Sequence, residues 1–155
     1  MSDRDRIRMT AAEVEAFLTE EHLVTVATMG PSGRPHLMPL FYVAQGTDVL
    51  CFTYGASQKV RNLRRDPRAT LQVEAGRRYD ELRGVMMECD AELLVDHEDV
   101  LDVGLALARG TAQREALDAE AAGRAREVVA RQATKRVAVR FRPTRIVSWD
   151  HRKAR

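Results

Sequence analysis

The stretch VLCFTYGASQKVRNLRRDPRATLQV, residues 49–73, contains the structural unit from which the fold can be predicted. Its first residues are apolar, aromatic or β-branched, a composition that favours a β-strand. A basic segment with helical spacing of its apolar residues follows at about 57–65, and Pro67 ends it. The residues ATLQVE, 69–74, then alternate apolar and polar, as a half-buried strand does. The stretch therefore predicts a strand, a short helix and a second strand.

Further strand-like runs lie on both sides of this unit. Together they predict six strands, at 22–29, 36–44, 49–54, 69–74, 82–95 and 136–141 with its continuation 146–149. Gly and Pro turn residues separate the first runs, which indicates antiparallel neighbours. Pro39 cannot donate a ladder hydrogen bond and predicts a strand edge or a bulge. Because closure removes exposed edges, we expect a mainly β fold with helices, in which the six antiparallel strands form a closed or nearly closed barrel.

Helical patterns occupy the regions between some of these strands. Besides the helix at 57–65, they lie at 10–21, 96–110 and 113–132. Asp96 is expected to cap the second of these helices, and Gly110 is a natural residue to end it. The sequence has no linker and no repeat. It therefore predicts one domain over residues 1–155, with a helical insertion at about 96–132.

The composition excludes several classes of protein. A content of 45% hydrophobic and 31% charged residues is typical of a folded globular chain. The net charge of +2 and the lack of aromatic residues among 57–68 argue against a nucleic-acid binder. No apolar run reaches the roughly 18 residues of a membrane span, and the charged N terminus lacks the apolar core of a signal peptide. We therefore expect a cytoplasmic protein with no membrane or nucleic-acid partner.

Cysteine and histidine give no sign of a metal centre. The two cysteines form no CxxC pair, and buried free thiols are expected. The histidines lack the spacing of metal ligands. No metal site is predicted.

Five cations lie within the ten residues 59–68, immediately after a strand. The start of a helix in this position exposes free backbone N–H groups and the positive end of the helix dipole, which together attract anions. Ser57 can add a hydroxyl, Lys59 a point charge and Arg61 a bidentate guanidinium. The segment predicts a phosphate site. The alternative is that Ser57 caps an ordinary basic helix exposed to solvent.

Three segments taken together resemble the pyridoxamine 5′-phosphate oxidase-like superfamily, the flavin-binding split β-barrels. They are GRPHLMPLFYV (33–43), the stretch 49–73 and RVAVRFRPTRIVSWDHRKAR (136–155). The motifs Gly-Arg-Pro-His, Ser-x-Lys-x-x-Asn-Leu-x-x-Asp-Pro and Val-Ser-Trp-Asp are specific when they occur in this order. Within the superfamily the chain is similar to the small deazaflavin-dependent branch, whose members use coenzyme F420.

The resemblance implies a set of cofactor-binding residues, some of which also have a simpler explanation. The set is His36, Met38, Pro39, Leu40, Thr53, Ser57, Lys59, Asn62 and Trp149. Arg61 and Arg78 are added to it because such cations would form the basic groove that an oligoglutamate tail of the cofactor needs. His36 could equally be a surface residue at a strand start, and Arg78 could belong to a solvated loop. Trp149 could approach the site from a partner subunit, or it could belong to the core.

The resemblance also implies a function. It implies a homodimer with cofactor sites at the interface, and a reductase that transfers a hydride from reduced F420 to a small electron-poor organic substrate. The chemistry belongs to the cofactor, so no catalytic residue is predicted. Two alternatives stay open: an FMN-binding oxidoreductase of the pyridoxamine-phosphate-oxidase-like class, and a non-catalytic flavin- or deazaflavin-binding protein.

Overall fold

Six antiparallel strands form a closed barrel in the computed structural model, which describes residues 3–154. The strands are β1 (Leu23–Met29), β2 (Pro35–Gln45), β3 (Asp48–Tyr54), β4 (Arg68–Ala75), β5 (Arg83–Leu94) and β6 (Arg136–Asp150). Around the barrel they follow the order β1-β2-β3-β6-β5-β4. The predicted fold class, a six-stranded antiparallel barrel with helices, is confirmed.

Five α-helices accompany the strands in the part of the chain that the structure describes. They are α1 (Asp3–Arg6), α2 (Ala11–Glu20), α3 (Gln58–Arg65), α4 (His97–Arg114) and α5 (Ala119–Ala133). The prediction that Gly110 ends the fourth helix is wrong, since α4 continues to Arg114. The left-handed residue after this helix is Ala116, with φ of 49°, so the chain leaves the helical path only beyond Glu115. None of the described helices is long and apolar enough to cross a membrane.

The core fills the barrel interior and is closed by a helix at each end. Alternate residues of each strand point inward, as Leu71 and Val73 do on β4. Helix α2 leads into the start of β1, and α3 joins the end of β3 to the start of β4. Because β1 and β3 run in the same direction, the two helices lie at opposite ends. The buried Phe17 of α2 and Val60 of α3 belong to one apolar core.

Helix α4 covers part of the outer barrel surface. Its Val103 packs with Leu50 of β3 and Ala138 of β6 in a second buried cluster. Helix α5 lies on α4, where Val129 contacts Gly104 closely. Leu50 and Ala138, which face outward beneath α4, are therefore apolar as well as the inward-facing residues of β3 and β6.

The barrel is split along one side, between β2 and β3. These strands pair only from Tyr42↔Cys51 to Gln45↔Asp48, although β2 begins at Pro35. Residues 35–41 pair with β1 alone among the described strands, so their other edge faces a cleft. Pro39 lies in this segment, which confirms its predicted place at a strand edge.

At Gly84 the strands β5 and β6 approach closely, and a substitution there tests how tightly the barrel is packed. Gly84 pairs with Trp149, whose ring lies over it, and an added Cβ would meet that ring and come 2.9 Å from the carbonyl oxygen of Val73. We expect Gly84→Ala to lower the free energy of unfolding by about 1–3 kcal/mol, because overpacking strains a filled site. Thermal unfolding of the purified protein measures this change.

Gly123 provides the matched control. An added Cβ there meets nothing within 4 Å, and the residue lies inside α5. Gly123→Ala should raise the free energy of unfolding by about 0.5–1 kcal/mol, because alanine favours the helix. Equal effects of the two substitutions would contradict the proposed contact.

Candidate functional site

The cleft beside β2 meets the turn that leads from β3 into α3. Thr53 points inward at the end of β3 and is buried. Backbone hydrogen bonds fix the turn, from Gly55 N to the Lys135 oxygen at 3.2 Å and from Ser57 N to the Tyr54 oxygen at 3.1 Å. The first turn of α3 therefore faces the cleft from a rigid connection.

Lys59 is the most unusual residue of this turn, because it is a buried cation without an acidic partner. Its side chain is only 8% exposed, and Nζ donates to Thr53 Oγ1 at 3.0 Å. An ammonium carries three N–H donors, and no carboxylate among the described residues forms an ion pair with this one. The uncharged hydroxyl of Thr53 leaves its charge uncompensated.

The surroundings of Lys59 disfavour its charge. Burial lowers the pKa of the ammonium, and the positive charge of Arg136 lowers it further. Cys51 lies nearby, but burial raises the pKa of its thiol far above the ordinary range. The thiol is therefore neutral and supplies no negative charge. An anion in the cleft would supply one.

Ser57 occupies the N-cap position of α3 but does not cap the helix. Its backbone is extended and its side chain makes no cap hydrogen bond. The Oγ atom is buried and has no hydrogen-bond partner in the described structure. Buried polar atoms are rarely left unpaired, so this hydroxyl is available to a ligand. The simple capping role is not what the geometry shows.

Asn62 lies on the buried face of α3, and its side chain forms hydrogen bonds inside the protein. Its Nδ2 donates to Thr28 Oγ1 at 3.0 Å, and its Oδ1 accepts from Gln58 Nε2 at 2.8 Å. A weaker bond from Arg65 reaches the same Oδ1 at 3.3 Å. These bonds fix α3 against β1. The amide holds the helix that carries Lys59 in place.

The β2 wall contributes three side chains to the inner face of the cleft. They pair with buried residues of β1, as His36↔Thr28, Met38↔Val26 and Leu40↔Val24. The Nδ1 atom of His36 is buried and has no partner in the described structure. Pro39 falls on the opposite, outer face, so only its backbone borders the cleft.

Three predicted site residues are not brought into the cleft by this chain. Arg61 is exposed on α3. Arg78 precedes a short 3₁₀ turn and pairs with Asp80 at 3.3 Å. Trp149 lies over Gly84. Arg78 and Trp149 both lie at the barrel end opposite α3. Their predicted contact with a cofactor therefore requires a second subunit.

Sequence analysis missed Arg136. Its guanidinium lies over the ring of Tyr54 at 4.2 Å and that of Phe52 at 4.8 Å, measured to the ring centroids. Its Nε is buried without a partner in the described structure. Arg136 reaches this position because it pairs with Tyr54, and that pairing depends on β6 lying beside β3. The sequence alone did not give that neighbour.

The donors of the cleft suit a phosphate better than a metal ion. A buried ammonium with unused N–H groups, an unpaired hydroxyl and a helix start are all donors that bind anionic oxygen. Within the described part of the chain, no group of three His, Cys, Asp or Glu residues is placed to hold a metal ion.

Solved structures of other proteins share this fold. The conserved hypothetical protein Rv2991 from Mycobacterium tuberculosis is 37% identical, with a TM-score of 0.83, and the match covers 99% of this chain and 92% of that one. A FAD-binding protein (mll6688) from Mesorhizobium loti is 18% identical with a TM-score of 0.67, over 90% and 94% of the two chains. An F420 reductase is 18% identical with a TM-score of 0.61, over 85% and 94%.

A comparison with family models gives the family itself. A search of curated proteins found no match to this chain. The model named pyridoxamine 5′-phosphate oxidase, however, matches residues 10–150. This range includes all six strands of the barrel and the residues of the cleft. The chain therefore belongs to the pyridoxamine 5′-phosphate oxidase family.

Proposed function

We propose that the protein is an F420H2-dependent reductase that transfers a hydride to a small electron-poor organic substrate. The observation that carries this proposal is the buried Lys59 ammonium, whose described partner is a neutral hydroxyl. Ser57, at the N-cap of the same helix, has a buried Oγ without a partner in the described structure. A cofactor phosphate would satisfy both groups. The similarity to an F420 reductase supports the choice of a deazaflavin.

Each part of the cleft has a role in holding such a cofactor. Lys59, Ser57 and Thr53 bind its phosphate, and Asn62 keeps α3 in register with β1. The apolar side chain of Met38 offers a surface to the ring system. The free edge of residues 35–41 offers backbone N–H and C=O groups to the polar atoms of the ring.

The protein contributes binding and orientation to the reaction. When bound in its reduced form, the deazaflavin supplies the hydride. The cleft walls hold donor and acceptor together, which removes much of the entropic cost of their encounter. His36 can donate a hydrogen bond to the substrate from the cleft wall, because its Nδ1 has no partner in the described structure.

A homodimer is part of the proposal. The outer face of the β1–β2 ribbon exposes apolar side chains, and Leu37 and Phe41 are 58% and 60% exposed. Leu23 pairs with Phe41 in the ribbon and is exposed beside it. A contiguous apolar face of this kind marks an interface. A second copy on it would also bring its own Arg78 and Trp149 to the assembly, as their predicted roles require.

The second candidate function is that of an FMN-dependent oxidoreductase. It is favoured by the same donors, since Lys59 and Ser57 suit the terminal phosphate of FMN as well as the phosphate of F420. Direct binding of both cofactors separates the two functions.

The first prediction from the proposed function concerns Lys59. We expect Lys59→Met to weaken F420 binding at least tenfold, because a charge-assisted contact to phosphate is lost. The apoprotein should unfold at the same or a higher temperature, because the substitution removes a buried charge without an acidic partner. Fluorescence quenching measures the affinity, and thermal unfolding measures the stability.

Arg64→Met is the matched control on the same helix. Arg64 is exposed, so its replacement should leave both quantities nearly unchanged. Preference for FMN in the titration would favour the second candidate function. Unchanged affinity of Lys59→Met for both cofactors would contradict the site.

The second prediction concerns pH. Because burial lowers the pKa of Lys59, the free protein loses this proton at a lower pH than an ordinary lysine does. A bound anion favours the ammonium, so binding is linked to proton uptake above that pKa. We therefore expect the affinity to be constant at low pH and to fall as the pH rises through the pKa of Lys59.

Lys59→Arg provides the control, because guanidinium stays charged over this range. In this variant the fall in affinity should move to higher pH. Fluorescence titrations at a series of pH values compare the two proteins. Identical pH profiles would show that Lys59 does not bind the anion.

The third prediction concerns the dimer. Phe41→Glu should convert the protein to a monomer, because it places a charge in the proposed apolar interface. Size-exclusion chromatography with light scattering measures the mass. Val95→Glu, at an exposed apolar residue beyond β5, should leave the dimer intact. A wild-type monomer, or a dimeric Phe41→Glu variant, would contradict the proposed interface.

A further inference from the structure

Arg136 is a second cation beside the cleft, and it has no acidic partner among the described residues. Its Nε is buried and unpaired, and one terminal nitrogen reaches the Phe52 carbonyl oxygen only at 3.5 Å. A long, weak bond of this kind satisfies little of the group's donor capacity. A guanidinium has five N–H donors, so most of them are available.

The position of Arg136 is fixed by packing. Its guanidinium lies over the rings of Phe52 and Tyr54, at 4.8 Å and 4.2 Å from their centroids. These contacts hold the guanidinium beside Tyr54 at the end of β3, and its N–H groups that bind none of the described acceptors remain for a ligand. The edge of a guanidinium is the part that binds two oxygens of a phosphate or carboxylate at once.

Arg136 lies at the same end of the barrel as Lys59, on the outer side of the strand pair whose inner side carries Thr53. It pairs with Tyr54, the last residue of β3, and the preceding Lys135 accepts the hydrogen bond from Gly55 in the turn that leads to α3. The charge of Arg136 also disfavours the ammonium of Lys59. Two neighbouring cations without a carboxylate repel each other, and an anion between them relieves this repulsion.

We propose that Arg136 and Lys59 form a two-cation site that binds two negative charges at the phosphate end of the cofactor, with Arg136 binding the second charge. This inference rests on the proposed cofactor site and specifies the charge of its ligand. The second charge has two possible sources. It is the second charge of the phosphate monoester in FMN, or a carboxylate of the oligoglutamate tail beside the phosphodiester of F420.

The test compares Arg136→Gln with the wild type in binding F420, FMN and riboflavin, which lacks the phosphate. We expect about tenfold weaker binding of at least one phosphorylated cofactor, with riboflavin binding unchanged. A loss confined to FMN identifies the phosphate monoester, and a loss that includes F420 identifies the tail carboxylate or both sources. Unchanged affinity for both, or an equal loss for riboflavin, would overturn the proposal.

Arg140→Gln is the matched control. Arg140 lies on the same face of β6, and its Nε is also buried and unpaired in the described structure, but none of the described aromatic rings lies against its guanidinium. Its substitution should not change the affinity for any of the three compounds. A loss equal to that of Arg136→Gln would show a general effect of positive charge and would overturn the assignment.

A second measurement separates this inference from the proposed function. Inorganic pyrophosphate should raise the unfolding temperature of the wild-type apoprotein, because it binds only the folded state, and the rise should be smaller for Arg136→Gln. Arg136→Lys should recover part of this rise in unfolding temperature, since lysine restores the positive charge but cannot bind two oxygens as a guanidinium does. If neither F420 nor FMN binds, the proposed function fails. An equal pyrophosphate effect in wild type and Arg136→Gln then overturns the two-cation site on its own.

Discussion

The point at which β2 and β3 stop pairing determines where this protein can bind a ligand. The ladder ends at Tyr42↔Cys51, and beyond it β2 continues with β1 while β3 continues with β6. Each strand keeps one hydrogen-bonded neighbour, so the barrel stays intact on both sides of the gap. The unpaired backbone groups of residues 35–41 face the gap and need partners. A flat polar ring system can supply them, whereas a fully paired barrel of this size would be filled by side chains.

The charges around the gap favour the binding of an anion and lower the stability of the ligand-free protein. Among the described residues, the buried ammonium of Lys59 bonds only to the hydroxyl of Thr53, and this lowers the stability of the free protein because little replaces the lost hydration. The chain could place a carboxylate beside Lys59, as it does beside Arg83, which pairs with Glu20 at 2.6 Å. At the cleft it places Arg136 instead. The uncompensated charge supports the proposal that an external anion is the partner of Lys59, since strained or unpaired groups concentrate where a function requires them.

Much of the fold follows from local sequence patterns, whereas the site depends on contacts between distant segments. The alternation of apolar and polar residues at 69–74 is a local signal, and the structure confirms the strand that it predicts, β4. The helical pattern at 10–21 is also local, and the structure confirms it as α2. Ser57 and Lys59 can be predicted from the sequence as candidate site residues, because the end of the strand and the start of the helix are neighbours along the chain. Arg136 was missed because it reaches the site through the pairing of β6 with β3. Gly110 was wrongly predicted to end a helix, because a glycine can end a helix but does not have to, and α4 continues to Arg114.

One buried hydrogen bond connects the two walls of the cleft. Asn62 on α3 donates to Thr28 on β1, and Thr28 pairs with His36 on β2. The helix that carries Lys59 and the strand that carries His36 are therefore attached to the same residue of the barrel. Because this link lies in the close-packed core, it keeps the distance between the walls nearly constant. The cleft is thus a preformed feature of the barrel, and a ligand that bridges the walls does not have to order them first.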